Sequence, residues 1–421
     1  MRPFPSPTAK VGSKKQTGDK MTTVQRWGVV VGAVLGLMVG NGPIMQFTFG
    51  VFLLPVAEAL GTDRGTMSTA LLLGLLFTGL MTPVAGHLVD RFGVRRVAIP
   101  AITLFALGIA ATGLIPTSIT AFIAIYALTG IFAAGQTPLP YAKAITSVFD
   151  NKRGLALGIA MAGVGLGAAL MPQLAQLLIS KMGWRMAYVG LGALIFVIGV
   201  PAMLFLIKEP TAAARATSLN VTLEGVASGE AVRSQTFWVM TVSFFFVALA
   251  TSGIIAHVIP LLGDRGVAAQ SATAAISAAG AALIVGRLLA GYMLDRFFGP
   301  YVALFFFAIP LVGVGIMAFS THPGLALAAT VMVGLGLGAE VDLIGFLLSR
   351  FFGMRAFGAL YGYMFAAFML ASGLGPFLMG MSYKLAGSYQ IALFGFIAAL
   401  AVSCGLMFKL GPYAFSQKTK E

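Results

Sequence analysis

Ala281–Arg296 reads AALIVGRLLAGYMLDR, an apolar run with one arginine in its middle and an Asp-Arg pair at its end. Arg287 precedes Asp295 by eight residues. At 1.5 Å of rise per residue it lies roughly 12 Å from the helix end, near the middle of a hydrocarbon core about 30 Å thick. A charge at that depth costs on the order of 2.5–3.5 kcal/mol on insertion scales, so it is expected to face a bundle interior or an aqueous cavity. The reading adopted is that Arg287 faces such a cavity and binds an anion, with a structural salt bridge as the alternative.

The composition sets the class around that stretch. The chain has 421 residues, 58% hydrophobic and 10% charged, with 53 Gly and 33 Phe, and a mean hydropathy of +0.94. Apolar segments of about 20 residues recur along its whole length, as in a polytopic helical membrane protein. The single cysteine, Cys404, cannot close an internal disulfide. The net charge of +14 could suggest a nucleic-acid partner, but its distribution argues for topology instead. With the amino terminus inside, roughly twenty Lys and Arg fall in cytoplasmic segments and about five outside, leaving Lys143 and Arg287 within helices. No nucleic-acid partner is therefore expected. Both termini are expected to be cytoplasmic in a multi-pass protein of the cell (inner) membrane. Met1–Gln25 is polar and basic without an apolar core, so it reads as a cytoplasmic tail rather than a signal peptide, with Met21 as a conceivable alternative start.

Outward from Arg287, the chain divides into twelve spans. The first runs from about Trp27 to Leu60 and is interrupted by Asn41-Gly42-Pro43, loose backbone tolerated only where it is buried in protein or lines water. The second ends in Gly86-His-Leu-Val-Asp90-Arg91-Phe-Gly93-Val-Arg95-Arg96, a short inner turn. The fourth carries Gln136-Thr-Pro-Leu-Pro-Tyr141-Ala-Lys143, Asp150–Arg153 forms the next inner loop, and the fifth, GLALGIAMAGVGLGAALMP, is rich in small residues that admit a close neighbour. Two segments recur about 205 residues apart: Gly86–Phe92 with Gly291–Phe297, and Gly154–Gly158 with Gly358–Gly362. A repeat of that size implies an all-α membrane protein of twelve transmembrane helices in two pseudo-symmetric six-helix bundles. The expected divisions are a disordered tail at 1–25, a bundle at 26–207, a cytoplasmic linker at 208–235, a second bundle at 236–411 and a tail at 412–421.

Other charges lie at depth. Glu340 and Asp342 stand roughly 15 Å and 12 Å from Arg350 at the inner end of helix ten, level with Arg287. Residues two apart point about 200° away from each other on a helix, so both carboxylates cannot face the cavity equally. One is expected to pair with Arg287 or a helical neighbour and the other to exchange protons, with purely structural pairing as the alternative. Lys143 either snorkels to the headgroups or adds positive potential to an inner vestibule. Tyr141 and Gln46 are candidate polar groups of the cavity, unless they are satisfied between helices. His257 has no partner in view and reads as an ordinary interfacial residue more readily than as a proton relay.

The turn GHLVDRFGVRR, with its degenerate echo GYMLDRFFG after helix eight, resembles the loop between helices two and three of the major facilitator superfamily. The likeness extends from about Trp27 to Leu410 and implies the major facilitator fold. It favours a reading in which Gly86, Asp90, Arg91, Gly291, Asp295 and Arg296 form a conformational latch, against the bland one of two tight polar loops. Within the superfamily, FGVFLLPVAEALG and LALGIAMAG are similar to segments of the monocarboxylate transporters and the oxalate:formate antiporters. Those groups share a helix-eight arginine that binds substrate carboxylate, a role that the resemblance places on Arg287. Two positions depart from the pattern. Helix eleven, YGYMFAAFMLASGLGP, lacks the second cation of the oxalate antiporters, and Leu283 stands where the animal carriers have aspartate. A monocarboxylate, or a larger acid with an apolar body, fits better than a dicarboxylate.

No P-loop, HExxH, Gly-x-Ser-x-Gly elbow or Cys/His cluster is present, so no enzyme, cofactor or metal is expected. The leading expectation is a secondary active transporter moving a small organic anion with proton coupling, by alternating access. Its partners are the anion, protons and membrane lipid, and it is expected to act as a monomer. An anion exchanger is the alternative in the same class, and a drug or hydrophobic-compound exporter or a channel in others.

Overall fold

The computed structural model describes residues 22–115, 117–149, 153–207 and 224–415. The expected tail up to Met21, most of the Asp150–Arg153 loop, the linker segment 208–223 and residues 416–421 lie outside them. Helix α1 is Thr23–Met38. It starts ahead of the apolar run because Thr22 and Gln25 cap it reciprocally, at 3.2 and 3.0 Å, each satisfying an orphan N–H of the first turn. The helix is thus already formed at Thr23, before the expected tail boundary at residue 25. Asn41-Gly42-Pro43 breaks the span as expected: a π-helical segment, Gly42–Phe47, separates α1 from α2, Phe49–Ala59. Proline brings no N–H to the ladder, so a wider turn absorbs the mismatch.

Next come α3, Arg64–Phe92, and α4, Val94–Leu114, separated only by Gly93 at φ 93°, a backbone that favours glycine. The fourth span is broken at Gln136-Thr137-Pro138 into α5, Ile119–Ala133, and α6, Pro138–Val148. Helix α7 runs from Arg153 to Pro201 with a corner at Gly183, where φ is 75° and ψ 165°. After it come α8 (Ser228–Ala231), α9 (Gln235–Gly263), α10 (Ala269–Leu294), α11 (Gly299–Phe319), α12 (Pro323–Phe352), α13 (Phe357–Ala386) and α14 (Gln390–Met407). Among the described residues, eleven helical stretches are long and apolar enough to cross a membrane, and one of them is 53 residues long. Its corner at Gly183 divides it into two crossings, which gives the expected twelve.

Across the halves, α3 packs on α13 and α7 on α10. Small residues make the approach possible. A Cβ at Gly163 of α7 would overlap the Val34 carbonyl of α1, and one at Gly280 of α10 would overlap the α7 backbone at Ala169. The described end of the linker is pinned to the turn between α12 and α13, with Val226 N donating to Phe352 O at 2.9 Å and Met354 N to Glu224 O at 2.8 Å.

The two ends of the molecule differ. At the Asp264 end, Arg64 of the first half grips Asp264 of the second through two hydrogen bonds of 2.6 and 2.8 Å. Its Nη1 also donates to Tyr389 OH at 2.8 Å, and its guanidinium lies 3.7 Å from the Tyr383 ring centroid. Lys384 and Asp63 pair across the same seam at 3.0 Å. At the Asp90 end, the ion pair of Lys143 with Asp90 stays within one half. There the positions a Cβ would occupy at Gly154, Gly158, Gly291 and Gly358 have no atom within 4 Å. The halves are sealed at the Asp264 end and parted along α7 and α10 at the other.

Candidate substrate site

Backbone contact between α10 and α12 builds the site. Cβ atoms at Gly286 and Gly338 would overlap the Leu335 and Leu283 carbonyls respectively, so the two helices touch main chain to main chain. That proximity sets Arg287 Nε 2.9 Å from Asp342 Oδ2 and 3.4 Å from the Gly338 carbonyl, to which it donates. Nη1 crosses to the other half and donates to the Met161 carbonyl of α7 at 2.9 Å. The Arg287 side chain is only 9% exposed, whereas that of Asp342 is 35% exposed.

Arg287 stands between two voids. A central cavity of about 100 Å³ is walled by Asn41, Gln46, Gln136 and Arg287 together with apolar side chains that include Phe365 and Phe368. A cleft of about 490 Å³ opens between α7 and α10 toward the Asp90 end, with Arg287 and Asp342 at its floor. One guanidinium therefore borders both spaces, and a desolvated cation beside a void attracts an anion far more strongly than it would in water.

Glu340 lies on a different face of α12 from Asp342. It is fully buried, and neither of its carboxylate oxygens has a hydrogen-bond partner among the described residues. Thr251 of α9 lies against it, but the Thr251 hydroxyl donates to the Val247 carbonyl at 3.0 Å. Asn41 Oδ1 and Gln136 Nε2, on residues of the central wall, are likewise buried without partners.

The structure gathers some of the candidates and disperses others. Gln46 is on the central wall, donating across the halves to Ser252 Oγ at 2.6 Å. Tyr141 is buried and stands behind the wall, where its hydroxyl donates to Gln136 Oε1 at 2.7 Å. Lys143 is absent from both void linings. Its Nζ lies 2.5 Å from Asp90 Oδ1 and donates to the Gly86 carbonyl at 3.2 Å. The six turn residues are not brought together. Arg91 leans on Phe92, Arg296 on Tyr292, the Asp295 amide donates back to the Gly291 carbonyl, and Gly291 lines the cleft.

His257 corrects the interfacial reading. It is fully buried, 2.9 Å from Ser68 Oγ of α3 and 3.3 Å from Tyr389 OH. Neither partner is near it in sequence, so no local pattern could have paired them. A second feature is legible in the spacing of aromatic residues. Phe357, Tyr361, Phe365 and Phe368 recur at helical spacing along α13 and stack as a column, with ring centroids 5.8–6.0 Å apart. Tyr361 is within electrostatic reach of Asp342 and Arg287, so the column flanks the charged pair.

Two helical halves enclosing a charged central void, sealed at one end and parted at the other, define a polytopic membrane carrier. The chain belongs to the Major Facilitator Superfamily, whose sequence profile matches residues 29–376. It is thus a transporter and not an enzyme. It is 26% identical over 401 residues to the uncharacterised MFS-type transporter YcxA of Bacillus subtilis, covering 89% of this chain and 92% of that one. It is 30% identical over 270 residues to the oxalate:formate antiporter of Oxalobacter formigenes, covering 62% of each. Against human monocarboxylate transporter 11 the identity is 25% over 385 residues, covering 86% of this chain and 78% of that one. Among solved structures, a bacterial homolog of the human lysosomal transporter Spinster, inward-facing and unoccupied, superposes with a TM-score of 0.70 at 18% identity, covering 92% of this chain and 97% of that one. That likeness establishes the fold alone.

Proposed function

We propose that this transporter moves a small organic anion, a monocarboxylate in the simplest case, by alternating access with proton coupling. The observation that carries the reading is Arg287, a buried guanidinium bordering two voids and held by a carboxylate that a substrate can displace. The similarity to an oxalate:formate antiporter and a monocarboxylate transporter supports an anionic substrate. Asp342 competes with the substrate for Arg287. Glu340 carries the proton, because an ionised carboxylate with no donor in a dry site is costly and holding a proton removes the charge.

The orientation rests on the basic residues: the Asp90 end, both termini and the 208–235 linker face the cytoplasm, the bundles divide at 23–207 and 236–411, and the protein works as a monomer in the cell membrane. Gly86, Asp90, Arg91, Gly291, Asp295 and Arg296 act as a latch that is undone in this arrangement and closes when the Asp264 end opens. Lys143 serves that latch by holding Asp90, and Tyr141 serves the site by holding Gln136.

Proteoliposomes given an inward proton gradient test the proposal with labelled short, hydroxy and aromatic acids. Accumulation that disappears in Arg287→Gln and loses its response to the gradient in Glu340→Gln is the expected result. Uptake indifferent to Arg287 would overturn the anion site. A second reading, exchange of one anion for another, is favoured by the antiporter match. It is recognised by uptake that needs an anion inside and ignores the gradient.

A further inference from the structure

We propose that the cleft between α7 and α10 is a lateral portal, through which a carboxylate with a long apolar tail reaches Arg287 from the leaflet at the Asp90 end. The proposal rests on the carrier reading above and narrows its substrate class to alkyl carboxylates.

The rim of the cleft is the first argument. Leu155 and Ile159 of α7 and Leu288 of α10 line it, and they are 56%, 40% and 61% exposed. These side chains lie on membrane-crossing helices, where hydrocarbon is the surrounding solvent. Among the described residues, the only charged or polar side chains lining the cleft are Arg287 and Asp342, at its floor. A mouth opening on water would carry polar groups around its edge, whereas the described rim of this one is apolar, with charge only at the floor. That gradient matches an amphiphile entering head first.

The two voids also differ in size. The cleft holds about 490 Å³, against about 100 Å³ in the central cavity. A carboxylate headgroup seated at Arg287 would find room for a tail on the cleft side and little on the other. Glycine keeps the passage open: Cβ positions at Gly154 and Gly158 meet no atom within 4 Å, so a larger side chain there projects into empty space and displaces nothing.

The test uses the full chain in phosphatidylcholine liposomes and measures the concentration of butanoate, octanoate or dodecanoate that halves uptake of labelled butanoate. Burial of each methylene strengthens binding by about fourfold while the tail still gains contact with the cleft, so dodecanoate should be the most potent. In Gly154→Leu and Gly158→Leu the ratio of the dodecanoate to the butanoate value should rise at least tenfold over wild type, with thermal stability retained. An unchanged ratio in both variants, with butanoate uptake still dependent on Arg287, overturns the portal and leaves the carrier reading standing. Absence of Arg287-dependent uptake of any acid defeats the carrier reading, and the portal with it. A second measurement stands apart from those substitutions. Leu288→Cys in a Cys404→Ser background should react with a bilayer-dissolved maleimide and resist a water-soluble one, and the reverse preference overturns the lateral opening.

Discussion

At Arg287 the guanidinium already spends its hydrogen bonds on Asp342, Gly338 and Met161, so an arriving anion must compete with a carboxylate of the protein itself. Neutralising that rival has a definite expected outcome. Asp342→Asn should tighten anion binding at least threefold while slowing net uptake at least tenfold, because the anion no longer leaves in exchange for Asp342. Half-saturation and maximal rate of labelled uptake report the two effects separately. Part of this site is legible in the chain. An arginine and two carboxylates at equal depth on two helices point to one network, and their spacing separates the faces of Glu340 and Asp342. The Met161 carbonyl is a backbone atom of the other half, and Ser68 reaches His257 only once α3 and α9 are docked. Contacts of that sort arise from packing between distant segments and leave no periodic trace.

At the scale of elements, breaks and caps carry the information. The interruption at Asn41-Gly42-Pro43 and the paired Asp-Arg turns are readable because proline, glycine and charge each restrict the backbone or the solvent around it. The start of α1 at Thr23 depends on a two-residue cap that apolar periodicity does not register. Helix α3 offers a test. Asp63 caps it, accepting from Thr66 N at 2.9 Å, and pairs with Lys384 of α13. Partial burial pushes the Asp63 carboxyl up, but the hydrogen bonds from Thr66 and Lys384 and the Lys384 charge outweigh it and bring the pKa down to about 2. A carboxylate with a depressed folded-state pKa contributes stability that is complete above its unfolded value of about 3.9 and is lost as pH falls through the folded value. The Asp63 contribution should therefore be constant from pH 5 to 8 and fade only toward pH 2. Asp63→Ala should cost about 1 kcal/mol, seen as a lower Tm of equal size at pH 5 and pH 8. A difference that grows between those pH values would assign the titration to another group.

For the whole molecule, the doubled plan was legible because a repeat about 205 residues apart cannot arise from local propensity. Which end is closed was not, since the same two halves pack in more than one relation. The contacts that hold the Asp264 end shut are few and named, which makes the balance testable. Arg64→Ala or Asp264→Asn should favour the opposite arrangement, so that Leu75→Cys on the central wall, in a Cys404→Ser background, reacts several-fold faster with a maleimide supplied from the Asp264 side. The double variant should react no faster than Arg64→Ala alone, because Asp264 acts on this closure through Arg64. Equal rates in all four proteins would assign the closure to helix packing at Gly65 of α3 and Gly380 of α13, where a Cβ on Gly380 would overlap the α3 backbone. Arg287 lines both voids and donates to the Met161 carbonyl, so this contact forms part of the wall between the central cavity and the cleft. Electric current needs an unbroken aqueous thread, and this wall interrupts it. Planar bilayer recordings should stay silent at any applied voltage, even with permeant acid on both sides.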